Sequence, residues 1–301
     1  MSKSGYKSVV GLMPKSVAEK LSLLDGAAAA GATEIRMRAA KPCTVYSGGR
    51  PHFIKNNGED MILGQNEIKA VVAHMCEYSL YKKEDELKHG YVTVKGGHRI
   101  GICATYLKNG GVDISSISSA AIRIAREHRG CAAELFGAVM MNGLCSILVA
   151  GPPLCGKTTI LRDISRILSS RPIYKKTAVI DERGELASVY NGTPMLDTGT
   201  CSDVLDGYPR AAGFDIAVRT LSPDIIVCDE LGGREDAGSI LGAAKSGVDV
   251  IASAHAGNMQ ELMQKKQITE CIDAGAFDYI VFLDTFQNIG RIKDIYKVVN
   301  A

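Results

Sequence analysis

Tryptophan is absent from this 301-residue chain and phenylalanine occurs only six times, so aromatic residues make up just 6% of it. The sequence therefore lacks the aromatic platforms, interleaved with basic residues, on which single-stranded nucleic acid stacks. Neither sign of charge is in excess: 35 basic and 33 acidic residues leave a net +2. No sequence-wide field draws the chain to nucleic acid or acidic lipid, although such a count would average away a local basic patch. No run approaches the roughly 18–20 apolar residues needed to cross a bilayer, so direct membrane insertion is not expected. The N-terminus carries lysines without the continuous apolar core of a secretory signal, so none is expected. Nine cysteines are scattered without a C-x-x-C pair or zinc-type spacing. That pattern suits reduced thiols in a cytosolic protein better than a disulfide framework.

One stretch is highly informative. Residues 151–159 read GPPLCGKTT and fit the pattern G-x-x-x-x-G-K-[ST] from Gly151 to Thr158. In such a loop, backbone N–H groups curl around nucleotide phosphates, the lysine neutralises the β and γ oxygens, and the hydroxyl holds Mg²⁺. The flanks agree. An apolar run over 146–150 suits a buried strand, and residues 160–168 carry apolar side chains at helical spacing. The loop would thus open a helix whose N-terminus favours anions. The contact set expected for ATP is Gly151, Pro152, Pro153, Leu154, Cys155, Gly156, Lys157, Thr158 and Thr159.

The length allows two domains. Residues 1–129 read as a smaller mixed α/β domain. It has a helix over 17–24, strands over 34–37, 44–46 and 52–54, a helical pattern over 68–81, and a hairpin from 91–94 and 100–106 around Gly96 and Gly97. The charged run 82–88 reads as a solvated helix face, and Asn109, Gly110 and Gly111 mark a further turn. Over 130–301 the pattern becomes strand, loop, helix, repeated. Buried strands are expected over 146–150, 176–180, 224–228, 248–252 and 279–283, with an edge strand over 291–299. This predicts an α/β domain built on a mainly parallel sheet.

Three further segments fall just after those strands. In DIIVCDELGG (224–233) an apolar strand delivers Asp229 and Glu230 at its end. A carboxylate here completes the Mg²⁺ shell begun by Thr158, and a second one beside it orients and deprotonates an attacking water. In VIDERGE (179–185), Asp181, Glu182 and Glu185 lie beyond a strand's C-terminal end, the edge where open α/β sheets hold ligands. An ordinary charged turn is the competing reading. In SAHAGN (253–258), His255 emerges at the same edge, as a sensor of the γ-phosphate or as a structural histidine.

These four segments, in this order, resemble the secretion ATPase superfamily, and within it the stage III sporulation group of endospore-forming bacteria. GGHRIGICATY (96–106) and IRIAREHRG (122–130) look like that group too. The resemblance implies a RecA-like P-loop NTPase domain at the C-terminal side, with Walker A at 151–158 and Walker B at Asp229 and Glu230. It implies an acidic box at Asp181, Glu182 and Glu185 and a histidine box at His255. Catalytic roles follow for Glu230, Lys157, Glu182 and His255, with ATP and Mg²⁺ as cofactors and Thr158 and Asp229 on the metal. Arginines from the N-terminal side or a neighbouring subunit of a homo-hexamer would reach the phosphates, with Arg123 and Arg126 the candidates and a surface salt bridge the competing reading for each. Arg99 and Arg219 also stand in matching segments. The implied partners are inner-membrane platform or channel proteins of a sporulation secretion complex. The implied place is cytoplasmic, on the mother-cell face of a channel to the forespore, peripheral to the membrane through those partners. Leu154 departs from related loops, which often carry glycine there. The chain runs only a short way past His255 and carries no zinc module, so a minimal motor is expected. A nucleic-acid motor or loader, which the composition argues against, and a nucleotide-gated assembly scaffold are the competing readings.

Overall fold

The protein is described by a computed structural model covering residues 5–80, 84–107, 112–141, 143–285 and 290–299. The turn expected at Asn109, Gly110 and Gly111 and the start of the charged run at Lys82 and Lys83 lie outside the described residues. The chain divides into two compact units, Met1–Arg126 with Ser188–Met195, and Glu127–Ala187 with Leu196–Ala301. Ser188–Met195 falls within the second half of the sequence yet groups with the first unit, and no local signal announces this.

The first unit is built on a six-stranded antiparallel sheet. Its strands are β1 (Ala32–Arg38), β2 (Thr44–Ser47), β3 (Arg50–Phe53), β4 (Tyr91–Val94), β5 (His98–Cys103) and β6 (Ser119–Arg123), in the order β3-β2-β1-β6-β5-β4. Period-two alternation fixes which face is buried. Ile35 and Met37 of β1, Ile100 of β5 and Ala120 and Ile122 of β6 are fully buried. They share a core with Ile68, Val71 and Val72 of a helix, α1 (Gln65–Met75). That helix stops at Met75, short of the expected 81, because Glu77 and Tyr78 adopt left-handed backbone (φ 51° and 56°), which ends helical hydrogen bonding. The expected early helix is present as Lys15–Leu21.

The second unit is a seven-stranded sheet. Its strands are β7 (Ile147–Gly151), β8 (Thr177–Asp181), β9 (Ser202–Asp206), β10 (Ile225–Cys228), β11 (Asp249–His255), β12 (Tyr279–Leu283) and β13 (Ile292–Lys297). The order is β9-β8-β10-β11-β7-β12-β13, parallel throughout except that β13 runs antiparallel to β12. The continuous apolar runs of the central strands are explained by burial on both faces. Ile147, Val149, Val179, Val227 and Ile251 share one core with Ile160, Leu161, Ile164 and Leu168 of α2 (Lys157–Ser169). The intervening residues Leu148, Ala150, Ile180, Ile226 and Val250 belong to the opposite core. That core includes Phe214 of α3 (Arg210–Ile216), Ile240 of α4 (Arg234–Lys245) and Ile268 of α5 (Lys266–Asp273).

Edge strand β9 was not anticipated. Only Val204 and Leu205 are apolar in it, and both are merely half-buried, so its sequence carries little hydrophobic pattern. Because the sheet is parallel, the C-terminal ends of β7, β8, β10 and β11 share one edge, where such sheets bind ligands. Register adds detail: Gly151 of β7 pairs with His255 of β11. Among the described residues no helix is long and apolar enough to cross a membrane.

Candidate active site

The loop after β7 is shaped by its glycines. A Cβ on Gly151 would lie 2.5 Å from Cys155 Sγ, so this close approach excludes larger residues. Gly156 caps α2 with φ 100°, a conformation costly for any side chain. Leu154, the residue departing from related loops, also has left-handed backbone (φ 64°) and is 83% exposed. Lys157 opens the helix and is buried. Its ammonium donates to the carbonyls of Gly151 (3.0 Å) and Pro152 (2.9 Å), and lies 3.1 Å from His255 Nδ1. Burial lowers its pKa, with the Cys155, Asp229 and Glu230 side chains opposing that shift.

The end of β10 meets this loop. Thr158 Oγ1 donates to one Asp229 oxygen, and Ser253 Oγ donates to the other. The same Ser253 oxygen accepts the Glu230 N–H (2.9 Å), so one buried hydroxyl orients both members of the Asp-Glu pair. Glu230 itself has left-handed backbone (φ 53°). For a side chain of that size this is local strain of the kind found at functional sites. Its carboxylate is paired with Arg183 through Oε2 and with His255 Nε2 through Oε1 (3.1 Å).

The acidic segment after β8 divides its labour. Asp181, buried at 2% exposure, accepts backbone N–H bonds from Glu185 (2.7 Å), Leu186 (3.1 Å to each oxygen) and Ala187 (2.7 Å). Its carboxylate therefore builds the turn. Arg162 of α2 braces the same turn by donating to the carbonyls of Leu186 and Glu185, each at 2.6 Å. Glu182 pairs with Arg210 (2.7 Å), which also contacts Asp236 (3.3 Å) and the Asp229 carbonyl (3.3 Å).

A cavity of about 470 Å³ joins these groups within the second unit. Pro153, Leu154, Gly156, Lys157, Thr158 and Thr159 line one side, and Asp229, Glu230 and His255 the other. Glu185, Arg183 and His128 complete the lining, whereas Asp181 and Glu182 are not part of it. Cys155 is fully buried in the core beneath the loop, and Pro152 contributes its carbonyl to Lys157. A hollow of about 550 Å³ beside Lys266 and Glu270 is larger but is lined by residues of one helix and its flanks, without the converging loop, hydroxyl and carboxylates. Chemistry, not size, selects the site.

Three of the four expected arginines have other local partners. Arg219 pairs with Asp215 (2.8 Å) on the helical segment before β10. Within the first unit, Arg99 stacks over the Tyr91 ring (4.3 Å), Arg126 donates to the carbonyls of Ala30 (3.1 Å) and Ala32 (2.5 Å), and Arg123 is exposed at the end of β6. Sequence reasoning missed Arg183, His128, Ser253 and Arg210. Arg183, His128 and Ser253 lay inside segments already singled out, and a cation between carboxylates at the ligand edge was a usable signal.

Residues 17–300 match the family described as "Sporulation stage III, protein AA". The chain is 34% identical over 290 residues to "Stage III sporulation protein AA" of Bacillus subtilis (strain 168), covering 95% of this chain and 93% of that protein. Among solved structures it is similar to the Legionella pneumophila ATPase DotB, at 17% identity and TM-score 0.56, covering 84% of this chain and 72% of that one. It is similar also to the pilus retraction motor PilT with bound ADP, at 20% identity and TM-score 0.58, covering 89% and 76%. At those identities the likeness speaks for the fold, which is that of the RecA-like P-loop ATPases. With the match running through nearly all of its length, this chain belongs to the sporulation stage III, protein AA family.

Proposed function

We propose that the chain is a Mg²⁺-dependent ATPase motor of the secretion ATPase kind, energising a mother cell-to-forespore channel during sporulation. The observation that carries this reading is the convergence of Lys157, Thr158, Asp229, Glu230 and His255 on one cavity at the C-terminal edge of a parallel sheet. The loop amides and Lys157 bind the β and γ phosphates of ATP. The Thr158 hydroxyl and Asp229 carboxylate, already in contact, are the hard oxygen donors that would hold Mg²⁺. When bound, the ion neutralises charge developing on the phosphate oxygens.

Glu230 orients the attacking water and accepts its proton, and Ser253 fixes the backbone from which it acts. His255 links the loop lysine to Glu230. Glu182, through Arg210 and the Asp229 carbonyl, holds the end of β10 in place. In a homo-hexamer, Arg123 or Arg126 from the N-terminal domain of the same or a neighbouring subunit reaches the phosphates, so that hydrolysis couples to domain motion. The platform or channel proteins at the membrane supply the load, with the motor on the cytoplasmic side.

The test is phosphate release from Mg-ATP by the full chain and by Lys157→Ala and Glu230→Gln. Lys157→Ala abolishes binding and turnover. Glu230→Gln keeps ATP binding while turnover falls about a hundredfold or more, the range of a lost general base. Wild-type protein without ATP affinity overturns the proposal, and undiminished turnover in Glu230→Gln removes Glu230 from its role.

A further inference from the structure

We propose that Arg183 is a latch shared between Glu230 and the terminal phosphate of the nucleotide. It holds the Glu230 carboxylate when no triphosphate is bound and transfers to the γ-phosphate when one binds, releasing Glu230 to engage water. The inference rests on the ATPase reading above and adds a sensing arginine supplied by the same domain.

Four side chains form an unbroken line across the cavity. Lys157 Nζ lies 3.1 Å from His255 Nδ1, His255 Nε2 lies 3.1 Å from Glu230 Oε1, and Arg183 pairs with Glu230 Oε2. A lysine ammonium can only donate, so Nδ1 is the acceptor and the ring hydrogen sits on Nε2, from which it is donated to Glu230. Both carboxylate oxygens are thereby engaged, one from each side. A water that must hand its proton to Glu230 competes with a guanidinium for the same oxygen.

Arg183 is placed to leave that oxygen. Its side chain is 62% exposed and lines the same cavity as Lys157 and Thr158. The backbone before it belongs to β8 up to Asp181, and the backbone after it is held where Asp181 and Arg162 pin residues 185–187. Exchange therefore needs rotation of a long side chain and no movement of the turn.

The competing ligands differ in strength. A γ-phosphate presents three anionic oxygens in a geometry that a planar guanidinium grips bidentately, whereas Glu230 offers one oxygen to Arg183. A diphosphate lacks the group that draws Arg183 away. Once Arg183 has moved, His255 still holds one oxygen of Glu230 and the other is open to water, and the Lys157 end of that line is the one that contacts the incoming phosphates. Binding of a triphosphate thus frees the base, and its hydrolysis restores the latch.

Calorimetric titration of the full chain with Mg-ADP and with the non-hydrolysable Mg-AMPPNP tests this. In Arg183→Ala, AMPPNP affinity falls about tenfold, the order of one charge-assisted hydrogen bond, while ADP affinity stays within twofold. Arg183→Gln, which keeps the length and loses the charge, shows the same selective loss. Equal changes for the two nucleotides, or none, overturn the latch while leaving the ATPase reading intact, provided the wild type binds both and Lys157→Ala binds neither. Failure of the wild type to bind either nucleotide overturns both.

Discussion

Asp181 tests the separation of turn-building from chemistry in the acidic segment. Asp181→Ala removes the acceptor of three backbone N–H groups, those of Glu185, Leu186 and Ala187. Leu186 and Ala187 are fully buried, so water does not readily replace the carboxylate. An orphaned buried donor costs about 1–3 kcal/mol. Three would sum to about 3–9 kcal/mol, but relief of the buried charge and partial relaxation offset part of this. A net loss of about 3 kcal/mol is expected, large for a single substitution. In a domain of this size that lowers the melting temperature by roughly 6–12 °C. Hydrogen exchange followed by mass spectrometry reads the mechanism directly: amides 185–187 are protected in the wild type and exchange rapidly in the variant. ATP affinity falls as a consequence, because Arg183 and Glu185 ride on this turn. Unchanged melting and slow exchange at 185–187, with nucleotide binding lost, would refute the reasoning and place Asp181 in the chemistry.

Two further outcomes concern a buried histidine of the first unit and the exposed Leu154 of the cavity loop. Burial pushes the imidazole of His98 down to about 4, and its Nδ1 accepts the Ala125 N–H (3.1 Å) while Nε2 faces Ser8 Oγ (3.2 Å). The unfolded chain takes up this proton below about pH 6.5 and the folded chain does not until about pH 4, so stability is full above 6.5 and falls as pH drops through that window. The loss is about 2–3 kcal/mol near pH 4.5. Urea denaturation shows it in the wild type and a shallower pH dependence in His98→Asn, whereas equal slopes would refute it. Leu154→Gly relieves left-handed backbone at a side chain with little packing to lose. It should stabilise the second unit by about 0.5–1 kcal/mol and raise the melting temperature by roughly 2 °C, with nucleotide binding retained. A lower melting temperature would show that the exposed leucine makes contacts that matter.

Much of the second unit was legible because its signals are local. A strand buried on both faces must be continuously apolar, so the five central strands stood out, and 279–283 matches β12 residue for residue. Strand β11 ran further than expected, to His255, since Ser253 and Ala254 are buried within the sheet despite the polar hydroxyl. Ser253 escaped notice for the same reason: its value lies in bonding Asp229 and Glu230, which are remote in sequence.

The sequence by itself determined the glycine-rich loop over 151–158, the Asp-Glu pair after a buried strand and the parallel α/β architecture. Each is set by contiguous residues whose backbone conformation or burial admits few alternatives. Only the tertiary structure decided the strand order β9-β8-β10-β11-β7-β12-β13 and the grouping of Ser188–Met195 with the first unit. It also decided which carboxylate in VIDERGE does what: Asp181 points back into its own turn, Glu182 meets Arg210, and Glu185 lines the cavity. Neighbours in sequence are interchangeable to a reader of composition. Their side-chain directions, and the distant N–H groups and guanidinium groups they meet, are fixed only when the sheet assembles.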